Sequence, residues 1–242
     1  MAEPSIAEAL EEPRAPVTFL PEVYVKANDL QRSTNIRTLD LLGISFKSRP
    51  NADQQFMDIG CGTGDFTRQE LLPRCQPCRR IVATDIGEGM VRYARENFAH
   101  PQIEYQVHDI SNDVSGLVRK YGQFNRVYSF YTLHWAKDYA TAFRNISDLM
   151  TSGGECLLLF VARWTGFEVW RRIAQMDRWK AYGEICEKFI PDSHDLDDHP
   201  SLISYMLDIL KAVNLKPHAC KILTNPSLAE DLEYTIRKSI FI

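Results

Sequence analysis

The residues most able to do chemistry stand in one short run, Phe56-Met-Asp-Ile-Gly-Cys-Gly-Thr-Gly-Asp65. Gly60, Gly62 and Gly64 allow the backbone to turn tightly and to approach a ligand without Cβ clashes. A nucleotide-like ligand fits such a turn. The dinucleotide fingerprint requires G-x-G-x-x-G, but here the third glycine comes one residue early and Asp65 occupies the place it should have. A carboxylate at the start of a helix repels a pyrophosphate and welcomes a cation. S-adenosylmethionine meets that description: it carries a sulfonium and an ammonium, the latter received near Asp58, and it has no phosphate.

Two further acids fall in register with the glycine turn. Asp85 lies 21 residues past Gly64 at the tip of a second apolar run, where its two oxygens can accept both ribose hydroxyls. Asp109 closes a third run as Val-His-Asp-Ile and is placed to accept from the adenine amino group, with Ile86, Met90 and Ile110 as apolar neighbours of the ring. Tyr24 and Phe130 complete the expected cofactor set. Three acids at three consecutive strand ends match the rule that open α/β sheets bind ligands at the carboxyl ends of their strands.

The acceptor is read from two other elements. Tyr24, Asn28 and Gln31 are spaced i, i+4, i+7, so one helical face presents a phenol and two amides to the rim of the cofactor site. Ser129-Phe-Tyr-Thr-Leu-His-Trp135 follows the fourth strand directly. The indole N–H of Trp135 can only donate, and the amide of Gln31 also offers a donor. Two neutral donors suit a carboxylate, which is ionised at pH 7 and needs no general base. Gln31 and Trp135 are therefore expected to position the acceptor, and His134 is expected to be a hydrogen-bonded loop histidine and not a base.

These residues need elements that hold them. Apolar runs at Gln55 to Ile59, Arg80 to Asp85, Ile103 to His108, Phe124 to Phe130 and Gly154 to Val161 alternate with helical segments at Asp65 to Leu72, Gly87 to Phe98, Asn112 to Tyr121 and Asp138 to Met150. Right-handed crossovers turn that array into a parallel sheet covered on both faces. The fold class is α/β, a doubly wound Rossmann-like fold with a mixed, mainly parallel sheet and a helical cap. A helix from Asn28 or Asp29 to Leu42 stops at Gly43; helices from about Gly166 to Lys188 precede an acidic loop, Pro191 to Pro200; Ser201 opens a helix to Val213. Pro217 to Leu223 reads as a sixth strand, and a last helix is expected from Ser227. Residues 1–20 read as a flexible acidic tail and 21–242 as one domain, with cap elements at about 21–43 and 164–213.

Tyr24-x-x-x-Asn28-x-x-Gln31, Asp58-Ile-Gly-Cys-Gly-Thr-Gly, Asp85-Ile, Asp109-Ile and Ser129-Phe-Tyr-Thr-Leu-His-Trp-Ala-Lys-Asp138 together resemble the arthropod juvenile hormone acid methyltransferases. The glycine motif is common to the class I methyltransferases; the Tyr/Asn/Gln face combined with Leu-His-Trp is narrower, and a similar pairing occurs in plant carboxyl and bacterial small-acid methyltransferases. The resemblance, over about Val23 to Leu223, implies a carboxylate acceptor and, more specifically, a sesquiterpenoid acid such as farnesoic acid or juvenile hormone acid. Trp164, Phe167, Trp170, Ile173, Met176 and Trp179 recur every three residues and would roof an apolar pocket. The departure is at the C-terminus. The fold normally closes with a seventh strand antiparallel to the sixth, whereas here the chain runs out after Ser-Ile-Phe-Ile, so the sixth strand is expected to lack its neighbour.

Composition removes other classes. The chain has 242 residues, 28 basic and 32 acidic, for a net charge of −4, which disfavours duplex nucleic acid as a partner. No Asn/Asp-Pro-Pro-aromatic motif follows the fourth strand, which further disfavours a nucleic-acid methyltransferase. The six cysteines, with a single C-x-x-C pair at Cys75 and Cys78, form neither a disulfide framework nor a zinc tetrad, and no metal is expected. The longest apolar run is too short to cross a bilayer, and without a secretory signal a cytoplasmic location is expected. Two other readings stay open: another small-molecule methyltransferase with an amine or phenol acceptor, and a catalytically silent cofactor-binding partner protein.

Overall fold

The structure is a computed structural model and describes residues 20–226 and 236–241. Two helices, α1 (Pro21–Ala27) and α2 (Asp29–Leu42), precede strand β1 (Gln55–Ile59). A π-helical turn, Thr67–Leu71, continues into α3 (Leu72–Arg74), followed by β2 (Arg80–Asp85), α4 (Glu88–Asn97), β3 (Ile103–Val107), α5 (Ser115–Tyr121), β4 (Phe124–Phe130), α6 (Tyr139–Leu149) and β5 (Met150–Trp164). The cap segment holds α7 (Thr165–Ala174) and α8 (Gly183–Lys188); α9 (His199–Ala212), β6 (Lys221–Pro226) and β7 (Ile236–Phe241) complete the described chain.

The sheet order is β3-β2-β1-β4-β5-β7-β6. The first five strands are parallel, and β7 runs antiparallel to both β5 and β6. Side chains alternate across β1: Phe56 belongs to an apolar layer shared with Leu71 and Val91, and Met57 to the opposite layer shared with Phe143 and Leu210. Both faces are covered, so all five residues of β1 are buried. α9 lies in the second layer, where Leu202, Met206 and Leu210 are fully buried.

The helix starts follow from short polar side chains. Asp138 accepts from the Thr141 N–H at 3.1 Å, and Asp198 accepts from the Ser201 N–H at 2.8 Å, so Asp198 and not Ser201 caps α9. α2 starts at Asp29 and stops at Gly43 as its capping residues suggest, so the face of Tyr24, Asn28 and Gln31 spans two helices that meet at Asn28, with φ −91° and ψ 7°.

The C-terminus corrects the sequence reading. The seventh strand is present, inserted between β5 and β6, with Ile240 opposite both Phe160 and Ile222. The run that carries it is only six residues long and has Arg237-Lys238-Ser239 at its centre, so it does not read as an apolar strand, and its partner β5 lies about eighty residues upstream. Its insertion gives the backbone groups of β5 and β6 their ladder partners. The helix expected from Ser227, like the expected acidic tail, lies outside the described residues.

Candidate functional site

Strand order reverses between β1 and β4, and the chain leaves these neighbours toward opposite faces, which opens a crevice at their carboxyl ends. The glycine turn leaves β1 there. The N–H groups of Gly60 and Cys61 both donate to the Thr84 carbonyl, at 2.7 and 2.9 Å. Gly60 has φ +77°, and a Cβ on it would lie 1.8 Å from Thr132 Oγ1. Thr132 reaches that place because Tyr131, just past β4, adopts φ 52°, an unusual backbone for a non-glycine residue, held by its N–H on the Leu159 carbonyl at 2.7 Å. Gly64 is required for packing: a Cβ would sit 2.7 Å from that of Ala94 and 2.8 Å from the Tyr105 ring.

Asp85 ties the turn to the next loop. Its Oδ2 accepts from Gly62 N–H at 2.9 Å and its Oδ1 from Gly87 N–H at 2.8 Å. Each oxygen retains capacity to accept again. Burial pushes the Asp85 carboxyl up from its ordinary range, and the two amides pull it back. Around it, Ile86 is 69% exposed at the strand tip, while Met90 and Ile110 are buried. Asp109 accepts from the Ser111 N–H at 2.8 Å, which orients its carboxylate at the end of β3.

On the other side of the turn, Asp58, Asp65, Tyr24, Asn28, Gln31, Asn35 and Phe130 converge on one cleft with Gly60 and Cys61. Asp58 is buried and accepts from Thr67 Oγ1 at 2.6 Å; burial, with Asp85 and Asp65 nearby, pushes its carboxyl up to about 7 against the hydrogen bond from Thr67. The Tyr24 ring lies over Gly62. Burial first, then the nearby carboxylates of Asp65 and Asp85, push its phenol up to about 12, so it stays protonated and donates to Gln31 Oε1 at 3.2 Å. That bond occupies the acceptor end of the amide and leaves its NH₂ as the end that faces other partners.

Arg32 is the functional residue that sequence reasoning missed. It donates to Asp65 Oδ2 at 2.8 Å, Glu70 Oε1 at 2.7 Å and Gln69 Oε1 at 2.9 Å, and Asn28 reaches Asp65 at 3.4 Å. The charge of Asp65 is thus matched by Arg32, and the carboxylate that distinguishes this turn from a dinucleotide site holds α2 down on it. The signal was present in the i+4 spacing of Arg32 from Asn28. Asn35 was missed too; it lines the cleft, and its buried Oδ1 has no hydrogen-bond partner among the described residues. Tyr131 carries no local signal, because nothing in Phe-Tyr-Thr announces a left-handed residue.

Trp135 is not brought to that cleft. It is 42% exposed on a short helical turn after Thr132, with its ring 4.6 Å from that of buried His134 and 6.0 Å from that of Phe189. In the cap, Trp164, Phe167 and Trp170 pack edge to face at 5.3 to 5.9 Å, and Phe167 is buried. α7 ends at Ala174, so Met176 and Trp179 leave the helix instead of winding round it. Cys75 and Cys78 are buried free thiols, the former against the Tyr128 hydroxyl at 3.8 Å. Among the described residues no helix is long and apolar enough to cross a membrane.

Among the described residues the cleft is rich in acceptors, with Asp58 and the Asn35 carbonyl unmatched by any cation, and its one guanidinium is committed to Asp65 and Glu70. That chemistry fits a ligand carrying positive charge. A family model described as a methyltransferase domain matches residues 56–154. A juvenile hormone acid O-methyltransferase from Bombyx mori is 32% identical over 204 residues, covering 84% of this chain and 71% of that protein.

The chain belongs to the juvenile hormone acid O-methyltransferase family. A second member, from Drosophila melanogaster, is 30% identical over 71% of this chain, which spans only 58% of that protein's length. A solved S-adenosylmethionine-dependent methyltransferase from Mesorhizobium loti shares the fold, with a TM-score of 0.53 and 18% identity over 84% of this chain and 96% of that one. As a member of this family the chain is an S-adenosylmethionine-dependent methyltransferase.

Proposed function

We propose that this chain transfers the methyl group of S-adenosylmethionine to the carboxylate of a small hydrophobic acid, forming the methyl ester, and that the acceptors are sesquiterpenoid acids such as farnesoic acid or juvenile hormone acid. The bound cofactor supplies an electrophilic methyl on a sulfonium. Asp58 and Asn35 would receive its ammonium, Asp85 its ribose hydroxyls and Asp109 its adenine amino group, with Gly60, Gly62 and Gly64 forming the floor, Ile86, Met90 and Ile110 flanking the ring, and Tyr24 and Phe130 closing over it.

The observation that carries the acceptor assignment is the Tyr24–Gln31 bond at 3.2 Å. With its oxygen engaged, Gln31 offers N–H groups at the cleft, while the indole of Trp135 lies outside it, on the exposed turn after β4, and would have to swing toward the acceptor to donate as well. Donors of that kind hold a carboxylate, which is already a nucleophile at neutral pH, so the protein's task is alignment and exclusion of water. The His134 ring packs against that of Trp135, tilted 40° to it, and supports it. The names of the two juvenile hormone acid O-methyltransferase relatives support the same acceptor class.

Gln31→Leu and Trp135→Phe test the reading. Each is expected to lower turnover on a terpenoid acid by about 10²-fold, the scale for relaxed positioning at an in-line attack, and Trp135→Phe, a change outside the cleft, is expected to leave S-adenosylhomocysteine affinity within about twofold. Parent-like turnover in Trp135→Phe would refute the donor pair.

A further inference from the structure

The aromatic series of the cap divides into a covered part and an open part. Past α7 the backbone makes three successive turns: Met176 N–H donates to the Ile173 carbonyl at 3.0 Å, Trp179 to Met176 at 2.8 Å, and Tyr182 to Trp179 at 2.9 Å. Ile173, Met176, Trp179 and Tyr182 thus stand at the ends of successive turns and are all exposed, an apolar ridge that Val169 extends back along α7. These side chains are 40, 60, 39, 39 and 51% exposed, in that order. The rings of Trp179 and Tyr182 lie 5.8 Å apart.

Cations flank the ridge. The Arg178 guanidinium lies 5.0 Å from the centre of the Trp179 ring, and Arg172 and Lys180 are exposed on either side. Asp177 is the single acid between residues 172 and 182. Arg171 differs, because it turns inward to bridge Glu187 and Asp195 and so braces the segment. On a chain of net charge −4, this segment concentrates positive charge beside exposed Trp, Tyr, Met and Ile. That combination matches a lipid interface, where aromatic rings sit at headgroup depth and basic side chains meet anionic headgroups.

We propose that this ridge docks the protein on an anionic lipid surface, with Ile173, Met176 and Trp179 entering the headgroup region and Arg172, Arg178 and Lys180 facing its negative charges. α8 leads from the ridge to Phe189, whose ring packs on Trp135. A docked ridge therefore lies one short helix from the turn assigned to the acceptor carboxylate, and an apolar acid dissolved in the bilayer would be delivered close to it. That last link rests on the proposed acceptor class; the docking does not, and it is measured without substrate.

The test is co-sedimentation of the full chain with phosphatidylcholine vesicles, with and without phosphatidylserine. The expected result is binding to the phosphatidylserine vesicles that weakens with salt and falls about fivefold for each of Arg178→Gln and Lys180→Gln. The double variant Met176→Ser/Trp179→Ser is expected to lose vesicle binding and keep S-adenosylhomocysteine affinity, while Leu207→Ser, an exposed apolar change on α9, is expected to bind vesicles like the parent. Failure of the parent to sediment with anionic vesicles, or undiminished binding by the double variant, would overturn the proposal. So would a parent dimer that the same double variant converts to monomer, since the ridge would then be a self-association surface.

Discussion

Arg32 on α2 and Asp65 on the turn after β1 form an ion pair at 2.8 Å in which the carboxylate is nearly buried, with 7% of its side chain exposed. The pair fastens the N-terminal helices, and with them Tyr24, Asn28 and Gln31, to the glycine turn. Removing the guanidinium strands a buried carboxylate, and removing only one partner of a buried pair is more costly than removing both. Arg32→Ala is expected to cost about 2 kcal/mol, the scale of hydrogen bonds to a charged group, in denaturant unfolding. Adding Asp65→Asn should recover part of that loss; strictly additive losses would show that the two side chains do not act as a pair.

Asp85 is held by two backbone amides before any ligand arrives. Asp85→Ala should weaken S-adenosylhomocysteine binding by about 1.5–3 kcal/mol, roughly 10- to 150-fold in calorimetry. Unchanged affinity would remove Asp85 from the cofactor site.

Asp58 gives the protein a pH dependence with a definite sign. Burial raises its carboxyl from 3.8 to about 7 in the folded chain, so the fold prefers the neutral form. This group contributes most to stability below about pH 4, and that contribution declines as pH rises from about 4 to 7 and is absent above. Asp58→Asn keeps an acceptor for Thr67 and should remove the decline, making the variant more stable than the parent at pH 8 in thermal unfolding. An ammonium beside Asp58 favours the ionised form, so S-adenosylhomocysteine should bind the parent more tightly as pH rises through 6 to 7, with no such trend in Asp58→Asn. A parent affinity independent of pH over that range would separate Asp58 from the ammonium.

At saturating cofactor the rate of methyl transfer to an acid should stay nearly flat from about pH 6 to 8, because the carboxylate is already ionised. A tenfold fall per unit below pH 7 that disappears in His134→Asn would make His134 a base and favour an amine or phenol acceptor.

How much of this was legible in the sequence depended on whether a signal was local. The parallel strands announce themselves as apolar runs; β1, β2 and β4 have the bounds the runs suggest, and the acids at their ends are short-range features of the same runs. β5 extends beyond its apolar run at both ends because Met150 pairs with Phe124 and Arg163 and Trp164 pair with β7. Pairings across many residues carried no such mark. β7 also escapes notice because Arg237-Lys238-Ser239 interrupts its apolar residues, and the Arg32–Asp65 pair because its members lie 33 residues apart. The start of α2 at Asn28 and Asp29 and its stop at Gly43 are legible from the capping residues, whereas the Tyr24–Gln31 bond that forms across that start is not.

Which atom receives the methyl group decides between a carboxyl methyltransferase and the amine or phenol alternatives. The deciding measurement is transfer of labelled methyl from S-adenosylmethionine to a panel running from short polar acids to farnesoic acid, with the C15 alcohol and amine of the same skeleton and a phenol beside them. The expected result is a base-labile methyl ester formed on the C15 acid, with little product from the short acids and none from the alcohol, amine or phenol. Methylation of the amine or phenol in preference to the acid, or tight binding of cofactor with no acid methylated, would contradict it.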